Sequence, residues 1–83
     1  MPRYYIDTSD QNFFCRDEEG VELPDLAAAK AAAVKTLPAM ADDALPDGDL
    51  RNFLAIVRDE NGMAVLQASL SLLITSLTPN TER

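Results

Sequence analysis

Eighty-three residues with 14 acidic and 7 basic side chains, a net charge of −7, no histidine and one cysteine describe a single small acidic domain, residues 1–83. That balance argues against a nucleic-acid groove, which needs clustered Lys and Arg, and disfavours an anionic membrane surface. A chain this short buries only about 60% of the surface it exposes when unfolded, so association with a second copy is the cheapest addition to its stability.

Residues 3–8 (RYYIDT) are rich in aromatic and β-branched side chains and read as a strand, with Tyr4 and Ile6 on one face and Tyr5 and Asp7 on the other. After a polar break at 9–12, residues 13–16 (FFCR) form a second, shorter strand, close enough to make a hairpin. Cys15 excludes an internal disulfide and suits a reducing compartment; it is expected as a small core hydrophobe, because the histidine that would activate a thiolate is missing. Residues 17–20 (DEEG) make a turn in which Gly20 takes a positive φ, and Val21 and Leu23 lead onward, with Leu23 packing back on the next turn.

Residues 23–45 (LPDLAAAKAAAVKTLPAMADDAL) form one long amphipathic helix around which the chain is organised. Asp25 is its N-cap, able to accept orphan N–H groups of the first turn. At about 100° per residue, Leu26, Ala29, Ala33, Leu37, Met40, Ala41 and Ala44 fall in one stripe, while Ala28, Ala32, Lys35, Asp42 and Asp43 point away. Alanine in the first half of the stripe lets that half approach a sheet closely. Pro38 removes the N–H that would bond the Val34 carbonyl, so a kink or short break is expected there; Pro46, Asp47 and Gly48 end the helix.

Residues 52–59 (NFLAIVRD) and 64–77 (AVLQASLSLLITSL) flank Asn61-Gly62, a strong hairpin signal. A two-residue loop there sets Val57 opposite Leu66, Ala55 opposite Ala68 and Phe53 opposite Leu70, placing one apolar face under the helix; a three-residue loop would shift the pairing and mix the faces. The other face then carries Leu54, Ile56 and Arg58 against Val65, Gln67 and Ser69, with Leu73 beyond. Asn52 would pair with Ser71, leaving residues 72–77 to find another strand or another molecule. Residues 78–83 (TPNTER) read as a loose tail. The fold expected is α+β: a two-layer ββαββ sandwich of antiparallel sheet with one long helix on one face.

The blocks MPRYYID, RDEEGVELPDLAAAKAAA and LPDGDLRNFLAIVRDENGMAVLQASLSL resemble a family of small uncharacterised alphaproteobacterial proteins classed as a domain of unknown function, over nearly the whole chain. The resemblance implies a compact ββαββ domain and brings no established activity. It also implies polar or charged residues where this chain has Leu54 and Ile56, and an ordinary helix former in place of Pro38. The ββα beginning is similar in outline to HicB-type antitoxins, a likeness of topology that carries no shared motif.

Asp17, Glu18, Glu19, Glu22 and Asp25 form the densest carboxylate cluster, but their spacing matches no calcium loop, and a solvated acidic turn before a helix explains them. Asp47-Gly48-Asp49 reads as a turn, and Tyr4 and Tyr5 as sheet-surface residues. No catalytic set, metal or cofactor is expected. Nor does the start of the chain show a signal-peptide pattern or any run apolar enough for a membrane span, so the protein reads as cytoplasmic. The functional expectation is a non-enzymatic interaction module that forms a homodimer through its open sheet face or last strand, using Leu54, Ile56, Val65, Leu73 and Leu77. The alternative is an acidic antitoxin-like or inhibitor-like regulator that engages a basic protein partner through the carboxylates of residues 17–22.

Overall fold

A computed structural model describes residues 1–10, 13–44 and 50–78, with positions 43 and 44 described by their backbone alone. In chain order the elements are β1 (Arg3–Ser9), β2 (Phe14–Cys15), β3 (Val21–Glu22), α1 (Leu26–Ala44), β4 (Leu50–Arg58) and β5 (Ala64–Leu73). The fold is the expected α+β sandwich: an antiparallel sheet in the order β2-β1-β4-β5, with β3 also against β1, and α1 packed on one face. One element is additional to the expectation. Val21 and Glu22, read as a lead-in to the helix, pair with Tyr4 and Arg3 as β3.

The helix begins where the cap residue dictates. Asp25 Oδ1 accepts the Ala28 N–H at 2.9 Å, and the Asp25 carbonyl accepts the Ala29 N–H at 3.2 Å. Ala29, Ala33 and Leu37 are buried and Met40 and Ala41 pack beside them, while Leu26, at the helix start, stays exposed. Small side chains bring the helix close to Phe53, Ala55 and Val57 of β4, which complete the core; Tyr4, Ile6, Leu23, Leu66 and Ala68 pack around it. Pro38 does not break α1, which runs through it; the side chain is exposed and the helix absorbs the missing bond where tertiary packing holds its other face. The expected stop at Pro46, Asp47 and Gly48, the Asp47-Gly48-Asp49 turn and residues 79–83 lie outside the described residues.

The β4–β5 register matches the expected one at Val57–Leu66, Ala55–Ala68 and Phe53–Leu70. The loop that produces it does not. The Asp59 N–H donates to the Met63 carbonyl and the Gly62 N–H to the Asp59 carbonyl, so Glu60, Asn61 and Gly62 form a three-residue loop with Gly62 at φ 82°. Arg58 therefore pairs with Ala64, and Val65 is an extra residue whose bulge restores the register from Val57 onward. The faces stay unmixed because one extra residue in the loop is compensated by one in the strand. β4 also starts at Leu50, two residues earlier than expected, so Leu72 pairs with Arg51 and Leu73 with Leu50. The expected overhang of residues 72–77 shrinks accordingly: residues 74–77 follow the strand without regular structure.

Candidate interaction surface

Strand alternation puts Phe53, Ala55 and Val57 against the helix and Leu54, Ile56 and Arg58 on the opposite side of the sheet. Leu54 sits in register between Ser9 and Ser69, and Ile56 between Asp7 and Gln67. Those neighbours shade both side chains, which are half-buried rather than exposed. Val65 is exposed at the bulge, Leu73 is 68% exposed at the strand end and Leu77 is 92% exposed beyond it. Leu54 and Ile56 lie on β4, Val65 and Leu73 on β5 and Leu77 beyond it; by alternation Leu73 shares the open face of the sheet with Leu54 and Ile56.

One end of the open face is covered, and by a loop. Arg58 holds Asp7 with two hydrogen bonds, Nε to Oδ2 at 2.7 Å and Nη2 to Oδ1 at 3.0 Å, and Nη2 also donates to the Asp17 carbonyl. The guanidinium stacks 4.9 Å above the Tyr5 ring. The Asp17 N–H donates to Asp7 Oδ1, and the Asp17 carboxylate accepts the N–H groups of Ile6, Glu19 and Gly20. Residues 16–20 are thus laid against Tyr5, Asp7 and Arg58. This corrects the reading of Asp17 as part of a solvated acidic turn, because its carboxylate serves the backbone of β1 and of its own loop.

The hydrogen bond from Arg58 holds the Asp7 carboxyl below the usual carboxylate range, prevailing over burial, with the Asp17 N–H adding to it. Burial works against ionisation of Asp17, but the N–H groups of Gly20, Ile6 and Glu19 outweigh it and lower its pKa too. The same pairing raises the pKa of Arg58. A cleft of about 270 Å³ opens beside this network, with Tyr5, Arg16, Glu18, Arg58 and Glu60 on its walls. Asp7 and Asp17 are thus both pushed toward the ionised form. Among the described residues no group of three or more His, Cys, Asp or Glu is gathered to hold a metal ion.

Cys15 is exposed, against the expectation of a buried one. It pairs with Thr8 on the outermost column of the sheet, beyond the reach of a helix centred on β4.

The two edges of the sheet differ. Along β1 the outward side is occupied by the two-residue strands β2 and β3 and by a carboxylate: Cys15 pairs with Thr8, Val21 with Tyr4, the Ile6 N–H reaches Asp17 Oδ2 at 3.0 Å, and the Leu23 N–H reaches the Pro2 carbonyl. A carboxylate stands in for the strand between β2 and β3. At the opposite edge, β5 runs for 10 residues with no strand against its outer side among the described residues. It carries no charge and no proline, and no charged residue occurs from 61 to 81. Short edge strands, prolines, charges and bulges are the usual protections of an edge, and of these β5 has only the Val65 bulge at its start.

A single helix on one face of an antiparallel sheet, with β5 as an edge strand among the described residues, defines a two-layer α+β domain. The chain belongs to the DUF6894 family, a domain of unknown function, whose sequence profile matches residues 3–71. No curated protein and no solved structure matches it. Among the described residues no helix is long and apolar enough to cross a membrane.

Proposed function

We propose that this protein is a small non-enzymatic interaction module that self-associates through the bare edge of β5. The observation that carries this reading is the contrast between the edges. β1's outer side is occupied by two short strands and a carboxylate, while the 10 residues of β5 carry no charge and have no strand against their outer side among the described residues, in a chain of net charge −7. Two copies so acidic repel one another over most of their surfaces, and residues 61–81 are where that repulsion is weakest. The exposed side chains of Val65, Leu73 and Leu77 lie along that stretch. Pairing of one β5 with the β5 of another copy uses the same edge on both and so ends at two copies.

The open sheet face supports association less well, because Leu54 and Ile56 are already shaded and the Tyr5 end is overlaid by residues 16–20. A basic partner on the acidic loop is likewise the weaker reading. Asp17 turns inward and Glu22 pairs with Arg3 at 3.3 Å, which leaves Glu18 and Glu19 as the outward carboxylates of that loop.

Light scattering on the purified chain tests the proposal. The expected mass is twice 9.1 kDa at micromolar concentration, holding or strengthening as salt screens the acidic surfaces. Ser69→Pro should return it to a single chain with the circular dichroism spectrum unchanged, since proline is tolerated at an edge position whose N–H points outward. Ile56→Asp, on the sheet face, should leave the pair intact. A wild-type chain that stays single at high micromolar concentration overturns the reading.

A further inference from the structure

The backbone of β5 also fixes how two copies would meet, an inference that rests on the self-association just proposed. The Asp59 N–H points at β5, where it meets the Met63 carbonyl. Alternation along β4 then turns the backbone groups of Val57, Ala55, Phe53 and Arg51 toward β5, and the register turns those of Leu66, Ala68, Leu70 and Leu72 back toward β4. The N–H and C=O groups of Gln67, Ser69, Ser71 and Leu73 therefore point outward. The Val65 bulge ends this regular row on one side, and the end of the strand at Leu73 closes it on the other.

We infer that the partner is a second copy of this chain paired antiparallel, β5 to β5, about a two-fold axis at Leu70. In that register Gln67 faces Leu73 of the other copy and Ser69 faces its Ser71, twice over. All four outward residues are then engaged, making about eight backbone hydrogen bonds. Sliding the copies by two residues in either direction, so that Ser69 or Ser71 faces itself, leaves one end of the row against a bulge or against irregular chain and loses about two of those bonds. Slides by one residue oppose outward groups to inward ones and are excluded.

Side chains favour the same register. On the helix side Leu70 meets its own copy across the axis and Ala68 meets Leu72, so Leu70, 38% exposed in the single chain because α1 lies over β4, gains an apolar neighbour. On the other side Ser69 meets Ser71 and Gln67 meets Leu73. No pair places charge against charge.

Cysteine cross-linking in a Cys15→Ser chain tests the register. Leu70→Cys should form a disulfide-linked pair to near completion under mild oxidation, because facing residues at a non-hydrogen-bonded position bring their Cα atoms within disulfide range. An equimolar mixture of Ala68→Cys and Leu72→Cys chains should cross-link as a mixed pair, and neither should do so alone. Ser69→Cys should not cross-link. Cross-linking by Ser69→Cys or Ser71→Cys with none at Leu70→Cys overturns the register while leaving association intact. A chain of single mass by light scattering removes the association itself, so the two failures are distinct.

Discussion

Gly20 and Gly62 hold similar positive φ angles, 72° and 82°, in opposite surroundings, and that pair allows the seating of the acidic loop to be measured. A Cβ on Gly62 meets nothing within 4 Å, so Gly62→Ala carries the left-handed backbone penalty alone, offset in part by the stiffer unfolded chain, for a net cost of about 1 kcal/mol. A Cβ on Gly20 lies 2.8 Å from Tyr5 Cε2 and 2.9 Å from the Tyr4 carbonyl oxygen. The ring could tilt, but the carbonyl belongs to a paired strand and cannot, so residues 16–20 must lift. Lifting them strips Ile6 of its Asp17 carboxylate and Arg58 of the Asp17 carbonyl, at about 1 kcal/mol or more for each bond. Gly20→Ala should therefore cost about 3 to 5 kcal/mol, a large share of the roughly 4 to 12 kcal/mol available to a domain of this size. Urea titration followed by circular dichroism, at one chain concentration and with a common slope, gives both values. If the two substitutions agree within about 0.5 kcal/mol, the loop does not sit on Tyr5 as described.

Three further outcomes are expected. Asp7 and Asp17 have folded pKa values depressed below their unfolded ones, so the stability they contribute is present above about pH 4 and lost as pH falls below it; Asp7→Asn should lower stability at pH 7 and flatten that acid limb, and an unchanged limb would refute the linkage. Pro38→Ala should stabilise the chain by about 1 to 3 kcal/mol by restoring the bond to the Val34 carbonyl, which a rise in midpoint temperature would register. Phe53→Ala empties the largest buried side chain and should cost about 3 to 5 kcal/mol in the same urea titration.

Much of the fold was legible because it depends on local period and local chemistry. The cap at Asp25, the Ala29–Ala33–Leu37 stripe and the alternation of Phe53, Ala55 and Val57 need no knowledge of distant residues. The register was legible for a less secure reason: a three-residue loop and the Val65 bulge cancel, and a sequence period cannot distinguish that pair of irregularities from a regular two-residue turn. What stayed hidden depends on distant partners. Asp17 looks like its acidic neighbours, and its inward turn is decided by Ile6, Asp7 and Arg58 from two other strands. Cys15 looks like a core residue, and its exposure follows from a helix that reaches only the middle of the sheet.

The clue to association changes character in the same way. Counting residues along a hairpin compares the lengths of two strands, and by that count the last strand appeared too long for its partner. The early start of β4 at Leu50 removes most of the mismatch. Yet a strand has two sides, and matching its length satisfies one of them. Where β1 would face water, the chain supplies β2, β3 and the Asp17 carboxylate. Along β5 it supplies nothing comparable among the described residues, although it has twice as many acidic as basic residues to place and a charge on an edge strand costs little in water. A side chain such as Lys or Glu at Ser69 or Ser71 would keep that edge solvated. Serine there keeps the edge open to a second backbone, and it is on this feature that the proposed pairing through β5 rests.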